Sequence, residues 1–297
     1  MQTIHHINAG ALNIGYLASG PAQGPAVFLL HGFPYDIHAF DEVVPHLVHA
    51  GCRVNVPYLR GFGPTRFLSP HTLRSGEQAA LGADLLALMD ALHIPSAVLA
   101  GYDWGGRAAC VVAALWPQRC QGLVSLNSYN IQNIARSQEP DLPTREHLLW
   151  YQYYFQSERG RAGLETHRED MAQLLWQQWS PTWAFTQSQF ARTAPAFHNP
   201  DFVEVVIHSY RHRYGLVEGD PAYAEIERRL AAQPTISVPT ITFDGADDGV
   251  NPAKPAQASA HQFSGAREHR IVTGAGHNLP QEMPHTFAQA VLELVRI

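Results

Sequence analysis

The sequence contains no long apolar run. None approaches the ~20 residues of a membrane-spanning helix, so no membrane contact is expected. It also has no excess of basic residues: its formal net charge is −6. A nucleic acid partner is not expected, because neutralising phosphates requires a basic surface. The N-terminal segment MQTIHHINAG lacks the charged segment and the apolar stretch of a secretion signal, which predicts a cytoplasmic location.

Cysteine is also scarce. The chain has three cysteines, Cys52, Cys110 and Cys120, and neither their odd number nor their spacing is typical of a disulfide framework or a metal site. We expect Cys110, which falls in a helix of small residues, to be a buried free thiol. The 297 residues, 45% of them hydrophobic, are enough for a sizeable core without such cross-links.

Strand-like and helix-like segments alternate along most of the chain. Short apolar runs bounded by glycine or proline predict buried strands, and the longer segments between them predict helices. The predicted strands are residues 2–8 and 12–18, AVFLLHGFP, CRVNVPYLRGFG, SAVLAG, GLVSLN, PTITFDGADD and HRIVTGAGH. This alternation predicts an α/β fold with a mostly parallel eight-stranded sheet and helices on both of its faces.

The alternation is interrupted once, because residues 129–233 contain helical signals only. We therefore expect a core domain made of residues 1–128 and 234–297, with an inserted helical domain at 129–233. Two helix starts carry the spacing of a capping box. These pairs are Ser75 with Gln78 and Thr186 with Gln189.

The segment GYDWGG, residues 101–106, lies between a predicted strand and a predicted helix. Its pattern G-x-D-x-G matches the G-x-S-x-G corner that presents a nucleophile, with Asp103 in the place of serine. Gly101, Gly105 and Gly106 supply the small residues that a strained turn needs. The segment alone leaves two interpretations open: Asp103 is a nucleophile, or it caps the helix.

Three further motifs follow predicted strands in a defined order. HGFP (31–34) ends the third strand, DGADDGV (244–250) ends the seventh, and GAGHNLP (274–280) follows the last. They offer backbone donors, then an acid, then His277. Together with Asp103, they have the chain order of a nucleophile, acid and base triad. This agreement favours the nucleophile over the helix cap.

With these motifs on its strand ends, the whole chain resembles the α/β-hydrolase superfamily, with a helical cap inserted after the sixth predicted strand. HGFP and GYDWGG together resemble epoxide hydrolases and the haloalkane and haloacetate dehalogenases, whose nucleophile is aspartate. Asn127 ends the sixth strand and is not a carboxylate, so the resemblance implies an acid after the seventh. The family spacing from Gly245 implies Asp248. Asp247 is the alternative, and Asp244 is expected to serve the turn.

An aspartate nucleophile favours reaction at saturated carbon. Serine would leave an ether there, whereas Asp103 would leave an ester whose carbonyl group water can attack. We therefore expect displacement at an sp³ carbon, followed by hydrolysis in which His277, oriented by Asp248, activates water. The backbone N–H groups of Phe33 and Trp104 are predicted to form the oxyanion hole.

The leaving group distinguishes epoxides from halides. A halide leaves as a stable anion, whereas an epoxide oxygen needs a proton donor, such as a neutral tyrosine. WYQYYFQSERG (150–160) resembles the YQxYFQ segment of soluble epoxide hydrolases, which implies that Tyr151 is one donor. VVIHSYRHRYG resembles the segment with the second donor. Tyr210 and Tyr214 share one predicted helix face, and the Tyr-Arg match favours Tyr210.

The remaining motif residues are expected to contact a small apolar epoxide, which reacts with water. The predicted substrate-binding residues are His31, Gly32, Pro34, Trp104 and Tyr214. The resemblance implies an epoxide hydrolase that needs no metal and no organic cofactor. The sequence does not determine the oligomeric state, and a homodimer is one of the states it allows.

A dehalogenase is the alternative function. Arg107 lies where the haloacetate enzymes carry a carboxylate-binding arginine. However, their second arginine corresponds to Trp104 here, and their cap His-Trp pair is not found. Phe33 is typical of epoxide or haloacetate hydrolysis and not of haloalkane dehalogenases. A third interpretation is a non-catalytic small-ligand-binding protein, since a fold does not by itself determine a function.

Overall fold

The computed structural model describes residues 3–297, and a single sheet lies at its centre. The strands are β1 (Ile4–Ala9), β2 (Leu12–Ser19), β3 (Ala26–Leu30), β4 (Arg53–Pro57), β5 (Arg66–Phe67), β6 (Ala97–Gly101), β7 (Cys120–Leu126), β8 (Thr240–Gly245) and β9 (Arg267–Val272). Their spatial order is β1-β2-β4-β3-β6-β7-β8-β9, with β5 paired to β2. The pairings of β2 are antiparallel, and all pairings from β4 to β9 are parallel.

Residues 3–297 form twelve α-helices, four of which cover the sheet, with α1 packed on α12 and α2 packed on α3. They are α1 (Val43–His49), α2 (Gln78–Ala91), α3 (Asp103–Leu115), α4 (Pro143–Leu148), α5 (Trp150–Tyr154), α6 (Glu158–Thr166), α7 (Arg168–Trp179), α8 (Gln187–Thr193), α9 (Phe202–Arg213), α10 (Ala224–Ala231), α11 (Leu279–Glu282) and α12 (Pro284–Val295). Within residues 3–297, no helix combines the length and the apolar character needed to cross a bilayer.

The central strands are buried on both faces, as parallel strands covered by two helix layers must be. Every residue of β6 is buried, for example. Because β3, β6, β7 and β8 run parallel, their carboxyl ends meet at one edge of the sheet. Loops at this edge are where open α/β sheets bind their ligands, and the motifs identified from the sequence lie there.

The predicted α/β fold is confirmed, and the sheet has nine strands where the sequence predicts eight. The additional strand is β5, whose two residues pair with Leu12 and Asn13 of β2. Two residues are too few to show a periodic pattern, so no sequence signal marks them. The first predicted strand, 2–8, includes residue 2, which lies outside the described residues.

One of the two predicted capping boxes is present. The Thr186 hydroxyl accepts from the Gln189 N–H at 3.2 Å, and the Gln189 side chain accepts from the Thr186 N–H at 2.7 Å. The box at Ser75 is wrong. Helix α2 begins at Gln78 after Glu77, and the Ser75 hydroxyl donates to the Glu77 carboxylate at 2.6 Å. A buried carboxylate nearby competes successfully for the hydroxyl.

Helices α4 to α10 all lie between β7 and β8, and side chains from this insertion bind the loop that follows β3. The Trp176 indole N–H donates to the Pro34 carbonyl at 2.8 Å. The Thr193 hydroxyl donates to the Asp36 carboxylate, also at 2.8 Å. These contacts hold the insertion over the carboxyl edge of the sheet.

A buried ion pair fixes the loop after β4. The Arg60 guanidinium, whose side chain is 1% exposed, donates to both carboxylate oxygens of Asp84 at 2.6 and 2.7 Å. It also donates to the Ser75 carbonyl at 2.8 Å and to the Tyr223 hydroxyl at 3.2 Å. Arg60 therefore joins α2 of the core to the inserted helices.

We expect Asp84→Asn to lower the free energy of unfolding by about 3–5 kcal/mol, because it leaves the Arg60 charge buried without its counter-ion. Asp90→Asn is the matched control on the same helix, where the carboxylate side chain is 66% exposed and pairs with Arg119. The control should cost less than about 1 kcal/mol. Urea denaturation at neutral pH measures both variants, and equal losses would contradict the role given to the buried pair.

Candidate active site

The predicted corner is a left-handed turn between β6 and α3. Asp103 begins the helix with a φ of +49°, a conformation that L residues rarely adopt. Glycines make this geometry accessible. A Cβ on Gly105 would lie 2.1 Å from the Leu30 carbonyl oxygen, and one on Gly32 would lie 2.5 Å from the Asp103 Cβ. The backbones of the two strand ends therefore approach more closely than any other residue type allows.

Asp103 does not cap its helix. Its Oδ1 accepts a hydrogen bond from the Phe33 backbone N–H at 2.8 Å, a donor 70 residues away along the chain. Its Oδ2 lies 3.8 Å from Arg107 Nη2, which is beyond hydrogen-bond distance. One carboxylate oxygen is therefore held by one of the two predicted oxyanion donors, while the other has no donor this close. The role of the second donor, the Trp104 N–H, stays a prediction.

His277 and Asp248 form the second part of the site. His277 Nδ1 lies 2.9 Å from Asp248 Oδ2. The other oxygen of Asp248 accepts the backbone N–H groups of Val250 at 2.9 Å and Asn251 at 2.7 Å, which fixes the carboxylate. Since a carboxylate accepts, Nδ1 carries the proton and Nε2 carries the lone pair. Nε2 is enclosed and has no hydrogen-bond partner in the described part of the chain.

The three aspartates of the loop after β8 differ in their contacts. Asp248 reaches His277, whereas the Asp244 carboxylate accepts the Lys254 N–H at 2.8 Å. Asp247 is half-buried and contributes its backbone N–H to the Ala275 carbonyl. The geometry thus favours Asp248 as the acid, with a turn role for Asp244.

Asn127 supports the acid from the neighbouring strand end. It follows β7 with a φ of +57°, and its side-chain amide donates to Asp248 Oδ2 at 3.2 Å. By sequence alone, Asn127 is identified only as a strand end without a carboxylate. Its place after a strand at the carboxyl edge is the signal that could have identified it.

The charges around His277 favour its protonated form. Burial by itself lowers the pKa of His277, but the attraction of Asp248, their hydrogen bond and the charge of Asp103 outweigh burial, so the pKa is raised. His31 shows the opposite result, since burial lowers its pKa to about 4. His31 Nε2 accepts the Leu59 N–H at 3.1 Å. His31 therefore braces the loop after β4, and its contact with substrate stays a prediction.

Tyr151 and Tyr210 lie against each other beside the corner, with ring centroids 5.4 Å apart. The Tyr151 hydroxyl accepts from the Gln152 amide at 2.8 Å, and burial raises the pKa of Tyr151 to about 12. The Tyr210 hydroxyl is enclosed without a partner among residues 3–297, and burial raises its pKa well above the usual value. The Tyr214 hydroxyl donates to Gln152 at 3.1 Å. Tyr210 is thus the closer neighbour of Tyr151, and its role stays a prediction.

A cavity of about 640 Å³ opens onto these groups. Its inner end is bordered by Asp103, Arg107, Tyr151, Gln152, Arg213, Tyr214 and His277. Its mouth lies between two segments: residues 132–146, which include the start of α4, and residues 250–251.

Four of the predicted substrate-binding residues do not border this cavity, and their contact with substrate stays a prediction. The wall behind Asp103 contains Trp104, whose ring stacks on Phe33 with centroids 5.8 Å apart. Gly32 and Pro34 belong to the same wall. Like His31, none of them is among the described residues that border the cavity. Tyr214 does border it, and its contact with substrate also stays a prediction.

The structure adds Arg213 to this site, a residue not predicted from the sequence. It lies on α9 three residues after Tyr210, and its guanidinium carbon is 4.5 Å from the centre of the Tyr210 ring. Burial and then repulsion by Arg213 lower the pKa of Arg107 to about 10. The i, i+3 spacing from Tyr210 is the sequence signal that could have placed Arg213 here.

The family model for the alpha/beta hydrolase fold matches residues 25–282 of this chain. Epoxide hydrolase A of Mycobacterium tuberculosis is 25% identical over 316 aligned residues, covering 97% of this chain and 96% of that protein. Bifunctional epoxide hydrolase 2 of Sus scrofa is 28% identical over 155 residues, which cover 49% of this chain and 28% of that protein.

Solved structures agree with this placement. A Klebsiella pneumoniae crystal structure, provisionally assigned as an epoxide hydrolase, is 49% identical with a TM-score of 0.96, covering 99% of this chain and 98% of that chain. Epoxide hydrolase A of Mycobacterium thermoresistibile has a TM-score of 0.76 at 22% identity, covering 100% of this chain and 98% of that chain, which shows the shared fold. The chain therefore belongs to the α/β-hydrolase fold family, and within that family it is similar to epoxide hydrolases.

Proposed function

We propose that this protein is an epoxide hydrolase that adds water to a small epoxide and releases a vicinal diol. One observation carries the proposal: Asp103, Tyr151 and His277 border the same cavity. A nucleophile, a proton donor and a base are the three groups that this reaction needs. The similarity to epoxide hydrolases supports the substrate class.

In the first step, Asp103 opens the epoxide ring. Oδ2 is the attacking atom, because Oδ1 is held by the Phe33 N–H. A bond forms between Oδ2 and a ring carbon, and the bond from that carbon to the ring oxygen breaks. Tyr151 and Tyr210 supply the proton that this oxygen takes up. The raised pKa of Tyr151, about 12, keeps its hydroxyl protonated at neutral pH.

In the second step, water cleaves the ester. His277 Nε2 takes a proton from a water molecule, and the resulting hydroxide attacks the Asp103 carboxyl carbon. The negative charge that develops on Oδ1 is stabilised by the Phe33 N–H and, we propose, by that of Trp104. The bond from the carboxyl carbon to the substrate oxygen then breaks, and this oxygen takes the proton from His277 as the diol forms. The first diol molecule therefore carries an oxygen atom that belonged to Asp103.

The inserted helices act as a cap in this proposal, with residues 129–233 as the cap and 1–128 and 234–297 as the core. Helix α5 supplies Tyr151, and α9 supplies Tyr210. The apolar part of a small epoxide has Leu149 and Val250 as neighbours in the cavity. A cytoplasmic location stays a prediction.

A haloacetate dehalogenase is the second candidate, favoured by Arg107, whose Nη2 lies 3.8 Å from Asp103 Oδ2. The two adjoining tyrosines favour the epoxide, because a departing halide needs no proton. Assays for diol formation and for halide release separate the two activities. Epoxide turnover that is lost in Asp103→Ala would exclude a non-catalytic binding protein.

Tyr151→Phe should slow ring opening by about a hundredfold, because it removes a proton donor to the departing oxygen. A halide substrate should react at an unchanged rate. Tyr154→Phe is the matched control, since Tyr154 lies on the same helix and is not among the described cavity residues. Initial rates of diol formation measure both variants, and equal rates for the two would argue against Tyr151 as the donor.

His277→Gln should trap the ester, because the base that activates water is missing. Mass spectrometry of the enzyme mixed with an epoxide should show the added mass of one substrate on the peptide that contains Asp103. The double variant Asp103→Asn, His277→Gln should show no such adduct. In wild-type enzyme, one turnover in heavy-oxygen water should give an unlabelled first diol. Label in that first product would refute the ester mechanism.

The breakdown of the ester should accelerate with rising pH, with a midpoint at the pKa of His277 in the ester form. Asp248 raises that pKa, whereas Asp103 no longer contributes a charge once it is an ester. Below the midpoint His277 is protonated and has no lone pair; above it, His277 is a neutral base. Asp248→Asn should move the midpoint down, because it removes the attraction that raises the pKa of His277. Rapid-quench measurement of the ester at several pH values gives both midpoints. A midpoint that Asp248→Asn leaves in place would contradict this assignment.

A further inference from the structure

Two arginines border the inner end of the cavity, and the mechanism above uses neither. Arg107 is on α3, one turn after Asp103, and Arg213 ends α9, close to Tyr210. Both line the same cavity as the nucleophile. Their charges are close enough to act on the same groups, since each lowers the pKa of Tyr151 and that of Arg213 lowers the pKa of Arg107.

The guanidinium of Arg213 has unused donors. Its Nε and Nη2 atoms are enclosed, and neither has a hydrogen-bond partner within residues 3–297. Stacking on the Tyr210 ring at 4.5 Å holds the group in one orientation. Enclosed donors of a charged group are costly to leave unpaired, so this arrangement is that of a binding site for an acceptor.

Carboxylates near the mouth of the cavity are already engaged. Glu139 accepts from Arg136 at 2.9 Å. Glu146 accepts from the Tyr153 hydroxyl and from the Asp141 N–H. These groups lie on the loop and helix at the mouth, where water also screens them.

The inner end therefore carries two positive charges against the single negative charge of Asp103. When Asp103 becomes an ester in the proposed reaction, this negative charge disappears and both arginines remain. An anionic group on the substrate would restore the balance throughout the reaction. A carboxylate suits the planar guanidinium fork, which donates two parallel hydrogen bonds to it.

We propose that the substrate is an epoxide that bears a carboxylate, bound by Arg213 and Arg107; this rests on the epoxide hydrolase function and specifies its substrate class. The linker is short, because Arg107 Nη2 lies 3.8 Å from the attacking oxygen of Asp103. The carboxylate is attached to the ring carbon directly or through one methylene group. Arg107 then lies between the bound anion and Asp103, where it screens their repulsion.

The test compares glycidate, a carboxylate, with glycidamide, its neutral analogue of the same size. Wild-type enzyme should form diol from glycidate with the higher kcat/KM. Arg213→Gln should lower the glycidate-to-glycidamide ratio of kcat/KM by about tenfold or more, because a hydrogen bond to a charged group is lost. Arg228→Gln is the matched control, since Arg228 is an exposed arginine paired with Glu225, and it should keep the wild-type ratio.

The ratio separates recognition of the charge from a general loss of activity. If Arg213→Gln does not fold, Arg213→Lys provides the same test, because a single ammonium group in place of the fork should lower the ratio by a smaller factor. Equal losses on both substrates, or a wild-type preference for glycidamide, would overturn the carboxylate site and leave the epoxide hydrolase function standing. Chloride release from chloroacetate without diol from either epoxide would instead overturn the proposed function and the inference that rests on it.

Discussion

The site depends on one hydrogen bond across the sheet edge, from the Phe33 N–H to Asp103 Oδ1 at 2.8 Å. It requires that β3 and β6 are adjacent and parallel, so that both end at the same edge. It also requires glycine at two positions, because a Cβ on Gly32 would overlap the Asp103 side chain and a Cβ on Gly105 would overlap the Leu30 backbone. Asp103 adopts a left-handed φ at this turn. Its Oδ1 is then hydrogen-bonded to the Phe33 N–H, and its Oδ2 has no hydrogen-bond donor among the described residues.

The base reaches this carboxylate through two later strand ends. The loop after β8 supplies Asp248, and the loop after β9 supplies His277. The end of β7 adds Asn127, whose amide donates to the same oxygen of Asp248 that faces the imidazole. Burial of His277 works against its protonation, and the surrounding acids reverse that effect. The result is a base of raised pKa whose enclosed Nε2 has no hydrogen-bond partner among the described residues.

The inserted helices and this edge together form the cavity that holds the site. Their contacts with the loop after β3, such as that of Trp176 with Pro34, hold α5 and α9 over the nucleophile. In this cavity, hydroxyl and guanidinium groups interact more strongly than they would in water. The same helices thus bring proposed proton donors and a proposed anion-binding arginine to one place, and this links the chemistry of the reaction to the choice of substrate.

By itself, the sequence determined the α/β alternation, the glycine-flanked corner at Asp103 and the chain order that ends in His277, because each depends on local spacing. Tertiary structure decided which polar groups meet. It paired the His31 side chain with the Leu59 N–H and placed Arg213 at the cavity. These outcomes follow from hydrogen bonds and charges between segments far apart in the chain, which no local periodicity records.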